Sequence, residues 1–353
     1  MSDGTAPPQP RWEKNRKRLL GGVATALVVG AVFVFVLPRI ADYRDVWDAI
    51  EDIGWQDALL LVGATLLNLA TFPPPWMVAL PGLRYRQAFV LTQASTALSL
   101  VSPVGAAVGM AGSYSMLRSW QFGAGAVALA VAVTGIWNQL ANLAFPIVGL
   151  ALLTGVDEDD PALRTAAFIG LGVLVVVIVL FALALSSADR ARRIGNRTAR
   201  AVTWARRVLR RQPATWGGES FALFRANALG LLRRRWHVLT VATLAGHLTV
   251  FVLLLVCLRS VGVSGGEVSW IEGFAAWALV RILGALPLTP GGVGIVELGL
   301  SGALVAFGAS NPDAVAATLL YRSLTIFPTL ALGLLAAVTW RSHHPGKRLE
   351  SPR

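Results

Sequence analysis

The chain has 353 residues, 55% of them hydrophobic and only 14% charged. Soluble domains carry about a quarter charged residues, so this composition excludes an ordinary soluble enzyme and reads as a protein embedded in a bilayer. The formal net charge of +12 raises nucleic acid as a partner, but the cations sit in loops beside apolar segments and no nucleic-acid-binding module is visible. The one cysteine, Cys257, lies in an apolar run, and four scattered histidines do not make a zinc site, so no disulfide framework, metal or cofactor is expected.

A span needs roughly 20 mostly apolar residues. The first expected span runs 19–37, after a basic head (1–18) with Arg11, Lys14, Arg16, Lys17 and Arg18. Pro38-Arg39 follows where a signal peptide would have a small-residue cleavage site, so the span is expected to be uncleaved. The second runs 58–80 and ends on Pro73-Pro74-Pro75. A Gly- and Ser-rich apolar stretch, 89–117, is broken at Pro103 and Gly105. Spans at 123–153 and 165–187 follow. After the Arg-rich segment 188–236 come a span at 237–258, a second broken stretch at 270–308, and a last span at 314–340 before the tail 341–353.

Lys and Arg collect on the cytoplasmic side, and this orients the spans. The loop 38–57 has six acids against two Arg, and the loop after Leu153 carries Asp157-Glu158-Asp159-Asp160, so both are expected outside. Arg84 and Arg86, the thirteen Arg of 188–236 and the basic tail are expected inside, with both termini cytoplasmic. The first broken stretch then has both ends inside and the second both ends outside. Each is expected to be a re-entrant hairpin, and the two enter from opposite faces.

The two breaks also resemble each other. Ser102-Pro103-Val104-Gly105 and Thr289-Pro290-Gly291-Gly292 share a hydroxyl residue, Pro, any residue, then Gly, at an offset of 187 residues. The same offset relates Gly123, at the start of one span, to Ser310, just before the last. Opposed repeats with interrupted helices are the pattern of many transporters. Backbone in hydrocarbon must be satisfied within the protein, so such a break belongs inside protein or beside a polar cavity. A kinked packing helix is the alternative, with Gly105 and Gly109 as a close-approach pair. The expected fold is all-α: six full transmembrane helices and two broken hairpins in an inverted repeat.

Arg281, Glu297 and Arg322 lie in apolar runs, where a charge costs at least about 2.5–3.5 kcal/mol. They admit two readings: a buried ion pair that fixes a hairpin, or a site for a charged head group, since Arg suits phosphate. Thr134, Asn138 and Asn142 share a helical face with Gln139 beside them, for packing or for substrate; His247 is either a packing residue or a proton relay. Residues 188–236 interleave Trp204, Phe221, Phe224 and Leu231 with arginines. They read as an amphipathic helix on an anionic leaflet or as a plain topology determinant.

At Leu286-Pro-Leu-Thr-Pro-Gly-Gly-Val-Gly-Ile-Val-Glu297 the chain resembles the lysylphosphatidylglycerol synthase transmembrane region, the flippase-like membrane domain of multiple peptide resistance factors. Pro290, Gly291, Gly292, Gly294 and Glu297 match its Pro-Gly-Gly-x-Gly-x-x-Glu motif, and Tyr321-Arg322 matches a later Tyr-Arg. The resemblance covers roughly residues 15–340. It implies a translocator of a phospholipid or lipid-linked head group, and no enzyme. The resemblance implies Glu297, Arg322 and the turn residues Pro290, Gly291, Gly292 and Gly294 as the head-group site, to which the membrane charge adds Arg281 and the polar face of the first half adds Asn138. The expected partners are membrane lipids with an anionic or lipid-linked head group, with a second copy of the chain or an envelope-synthesis protein as further partners and no nucleic acid. The first half departs from the family: Val104-Gly-Ala-Ala-Val-Gly-Met110 replaces an Arg and a Gly-Glu pair, and Thr134, Gly135, Asn138 and Gln139 stand where an acid–Arg pair is usual. Nothing in these residues resembles the soluble aminoacyl-transferase domain, so a synthase activity is not implied. A membrane-embedded enzyme of lipid-linked glycan synthesis and an accessory scaffold are the alternative functions.

Overall fold

The computed structural model describes residues 43–102, 104–155, 161–208, 212, 217–285 and 289–339. Within them the chain is a helical membrane protein with no strand. The helices are α1 (Tyr43–Glu51), α2 (Trp55–Thr71), α3 (Pro74–Ala79), α4 (Tyr85–Leu100), α5 (Gly105–Ser119), α6 (Ala124–Leu153), α7 (Pro161–Ser186), α8 (Ala188–Val208), α9 (Gly218–Ser260), α10 (Trp270–Ala285), α11 (Ile295–Ala306) and α12 (Asn311–Thr339). A 3₁₀ turn at Pro290–Gly292 precedes α11. Five segments are long and apolar enough to cross a membrane: Trp55–Ala79, Ala124–Leu153, Pro161–Leu183, Gly218–Ser260 and Asn311–Ala336. They coincide with five of the six expected full spans. The sixth, at 19–37, lies outside the described residues, as do Pro103, the acidic run 157–160 and the tail.

Two details differ from the sequence reading. The second span is not one helix: α2 stops at Thr71 and α3 restarts at Pro74, because prolines lack the N–H that would continue the ladder. The Arg-rich segment is not a separate unit ending at residue 236. Its second part and the following span form α9, 43 residues without a break. At 1.5 Å per residue this helix is about 65 Å long, twice the hydrocarbon thickness, so its arginine-bearing part projects beyond any bilayer its apolar part crosses. The amphipathic α8 packs on that projecting part. Asn196 Oδ1 accepts from Gly218 N at 2.8 Å, and Arg192 pairs with Glu219 at 3.1 Å.

Each broken stretch folds as two short helices packed against each other, α4 with α5 and α10 with α11. The longest of the four has 16 residues, about 24 Å, short of the roughly 30 Å hydrocarbon layer. The halves then exchange partners. α4 packs on α12, and α10 packs on α6. Gly149 of α6 meets Ala275 and Ala278 of α10; at the 187-residue offset, Ala336 of α12 joins Ala88 and Leu91 of α4 in one buried cluster. Helices α6 and α12 also begin alike, after Gly123 and after Ser310, whose hydroxyl accepts from Asp313 N at 3.2 Å. This is the arrangement that a two-fold axis relating the halves would produce. The hairpin tips touch: Gly291 lies against Leu100, with room for a Cβ only 3.0 Å from the Leu100 side chain.

Two apolar cores form, each centred on one half and completed from the other: Ala336 joins the first, and Leu61, Ala141 and Phe145 join the second. One gathers Leu91, Leu117 and Trp120, and the other Leu254, Leu258, Trp277 and Tyr321. Helix α7 belongs to neither: Phe168, Ile169 and Leu180 are exposed. An all-apolar helix with so little buried is soluble only in hydrocarbon, which places α7 at the lipid-facing edge.

Candidate functional site

The motif residues build the second hairpin's turn. Gly291 and Gly294 have φ of 62° and 88°, a conformation that costs L side chains roughly 1–2 kcal/mol. This reversal exposes backbone groups at both ends, and two charged side chains satisfy them. Glu297 Oε2 accepts from Gly294 N at 2.6 Å, capping α11, while Arg322 donates from Nη2 to Gly291 O at 2.8 Å. The two side chains close on each other, Arg322 Nε to Glu297 Oε1 at 2.7 Å. Glu297 is 2% exposed and Arg322 13%. Both carboxylate oxygens are thus engaged, and Glu297 stands behind Arg322. Of the two readings of these charges, the ion pair that fixes the hairpin is what the geometry displays for Glu297.

Arg281 is handled differently. It faces no carboxylate within ion-pair distance among the described residues. Its Nε donates to Asn142 Oδ1 at 3.2 Å, its Nη2 also reaches Asn142, and Nη2 lies 2.8 Å from His247 Nδ1. The guanidinium stacks over Trp277 at 4.7 Å from the ring centroid, with Phe145 at 5.9 Å. Neutral acceptors and ring faces hold the cation without cancelling its charge. Of the three membrane charges, Arg281 thus stands outside the ion pair: α10 presents it to Asn142 of α6 and His247 of α9.

A cavity of about 250 Å³ opens between these groups, lined by Arg281, Arg322, Asn142, Trp277, Tyr321 and Gly291 among others. Of the expected site residues, Arg281, Arg322 and Gly291 meet on its wall. Gly292 and Gly294 shape the turn behind it. Asn138 lies elsewhere, on a second cavity of about 1020 Å³ in the first half, together with Gln139, Thr134 and Thr243. Asn142 and His247 were read from the sequence as either packing or functional residues and Tyr321 only as part of the Tyr-Arg match, while Trp277 was not named at all. A neutral amide and an imidazole in apolar runs are signals that more often mean helix packing. Only the neighbouring arginine gives them another role.

An all-α membrane protein with a buried cationic cavity at the meeting point of two broken hairpins is the class these observations define. The sequence matches the family model of the lysylphosphatidylglycerol synthase TM region over residues 23–333, and the chain belongs to that family. Among curated proteins and among solved structures, nothing matches the chain. The family places it among membrane proteins of lipid and cell-envelope processes.

Proposed function

We propose that the chain binds a lipid through the anionic part of its head group and moves it across the cytoplasmic membrane, with Arg281 and Arg322 receiving the phosphate. One observation carries this reading. The cavity wall has two guanidinium groups and one carboxylate behind them, so it holds one more positive charge than negative. A cation in a water-poor site is expensive unless paired, and an anionic ligand is the partner that completes it. The position of the cavity supports movement as well as binding. It lies where two hairpins too short to cross the bilayer touch tips, which brings polar backbone towards the membrane interior from both sides. The orientation that places both termini in the cytoplasm follows from the loop arginines.

Dithionite quenching of a fluorescent phosphatidylglycerol in proteoliposomes tests the reading. Wild type should accelerate exchange between leaflets, and Arg281→Gln should lower that rate by about tenfold, a free-energy change of about 1.4 kcal/mol. The variant's melting temperature should stay close to wild type, because Asn142 and His247 are neutral and find new partners in the introduced amide or in water. Equal rates in the wild type and Arg281→Gln would overturn the assignment of Arg281.

A further inference from the structure

The larger cavity, of about 1020 Å³, is walled by α3 to α7 and α9 and adjoins the cationic one at His247 and Arg281. Among the described residues, no Asp, Glu, Lys or Arg lines it. Its polar groups are hydroxyls and amides on largely apolar walls. The hydroxyls of Thr92, Ser95, Ser99 and Thr134 donate to carbonyls of their own helices at 2.7–3.2 Å. Each has thereby spent its one proton, and the oxygen lone pairs that remain can only accept.

Helix α9 adds two groups whose bonding capacity is unmet. Thr243 Oγ1 and His247 Nε2 are buried and have no hydrogen-bond partner. His247 is 3% exposed. Its Nδ1 faces the Arg281 guanidinium, which is a donor only, so Nδ1 accepts and the ring proton sits on Nε2, directed away from Arg281. His247 lines the large cavity and touches Arg281 of the small one, so the two cavities meet at this pair. A buried donor without a partner is costly, and an acyl chain filling the cavity would leave that cost standing.

A wall of acceptors, an imidazole N–H, a free hydroxyl and the aromatic faces of Phe72 and Trp76 is complementary to one chemistry. Polyols and sugars offer many O–H donors, oxygen acceptors and apolar ring faces together. We infer that the large cavity is the binding site for an uncharged polyhydroxylated head group, glycosyl, inositol or glycerol, of a lipid whose phosphate lies on Arg281 and Arg322. This rests on the anion reading of the small cavity. The same wall argues against an aminoacylated head group. A lysyl ammonium would need a carboxylate, and the Glu297 carboxylate is fully engaged with Arg322 and Gly294.

The test is lipid binding to the full chain in detergent, followed by native mass spectrometry with phosphatidate, phosphatidylinositol and lysylphosphatidylglycerol of matched acyl chains. Phosphatidylinositol should bind about tenfold more tightly than phosphatidate, and lysylphosphatidylglycerol no more tightly than phosphatidate. Gly135→Leu fills the cavity from α6, where a Cβ meets only Met110 Sδ at 3.6 Å. Thr243→Val removes a hydroxyl that has no partner and so leaves no orphan. Both variants should bring phosphatidylinositol to the phosphatidate level while phosphatidate binding is kept. Equal wild-type affinities for phosphatidylinositol and phosphatidate would overturn the inference. So would tightest binding of the lysyl lipid, or an affinity that follows acyl-chain length and not head group. Failure of wild type to bind phosphatidate at all would sink the anion reading itself, a separate result.

Discussion

The turn between α4 and α5 has no ionised side chain, whereas the turn between α10 and α11 is tied by Glu297 and Arg322. Each hairpin packs two short helices against each other, and the means of holding them differ. In the first, α5 lies so close to α4 that a Cβ on Gly109 would sit 2.8 Å from Ser95 O, and Gly105 is tighter still against the Ser99 carbonyl. Small residues replace charge as the fastening, and Ser99 satisfies itself on Ser95 O at 3.0 Å. In the second, three glycines with positive φ open a wider reversal, and an ion pair satisfies its backbone. A broken helix in hydrocarbon can thus be held by close packing or by buried charge. The choice decides which cavity beside it is cationic and which is neutral.

This contrast can be broken from either side. Glu297→Leu should have the largest effect. It strands Arg322 as a buried unpaired cation and removes the α11 cap, at about 3–5 kcal/mol. The readout is the loss of thermal stability in detergent, and adding Arg322→Met should recover most of it. If Glu297→Leu alone is neutral, the ion pair is not what fastens the second hairpin. Gly109→Val addresses the first hairpin and should cost about 1–3 kcal/mol by forcing α5 off α4, seen in the same melt. Here no second-site charge change should rescue it. Gly294→Ala, at φ 88°, should cost about 1–2 kcal/mol. Its effect should shrink when Glu297 is already gone, since both act on one turn. Gly302→Ala on α11 is the smallest effect: the added methyl meets nothing within 4 Å, and the gain should be about 0.5–1 kcal/mol. A loss at Gly302 instead would show that this face of the second hairpin is packed against something.

Much of this was legible without a structure, where the determinant is local. Span positions follow from runs of apolar residues, and five agree with the helices found. The breaks at Gly105 and Pro290 follow from residues that cannot continue a helix ladder, and both mark hairpin turns. The similarity of the two broken stretches survives as exchanged packing, α4 on α12 and α10 on α6. Glu297 and Arg322 stood out because ions in apolar runs need a reason. The continuity of α9 was missed because Arg225 and Arg233 to Arg235 mask a helix whose register never breaks.

The sequence by itself determined that this is a helical membrane protein, where its chain breaks, and that its two halves differ in charge. Those are properties of short windows, governed by hydrocarbon solubility and by the missing donors and side chains of Pro and Gly. Only the tertiary structure decided which charge meets which. Arg281 finds Asn142 and His247, 139 and 34 residues away, and leaves Glu297 to Arg322. Partners that distant are chosen by how helices pack across the two halves, and no spacing along the chain encodes that choice.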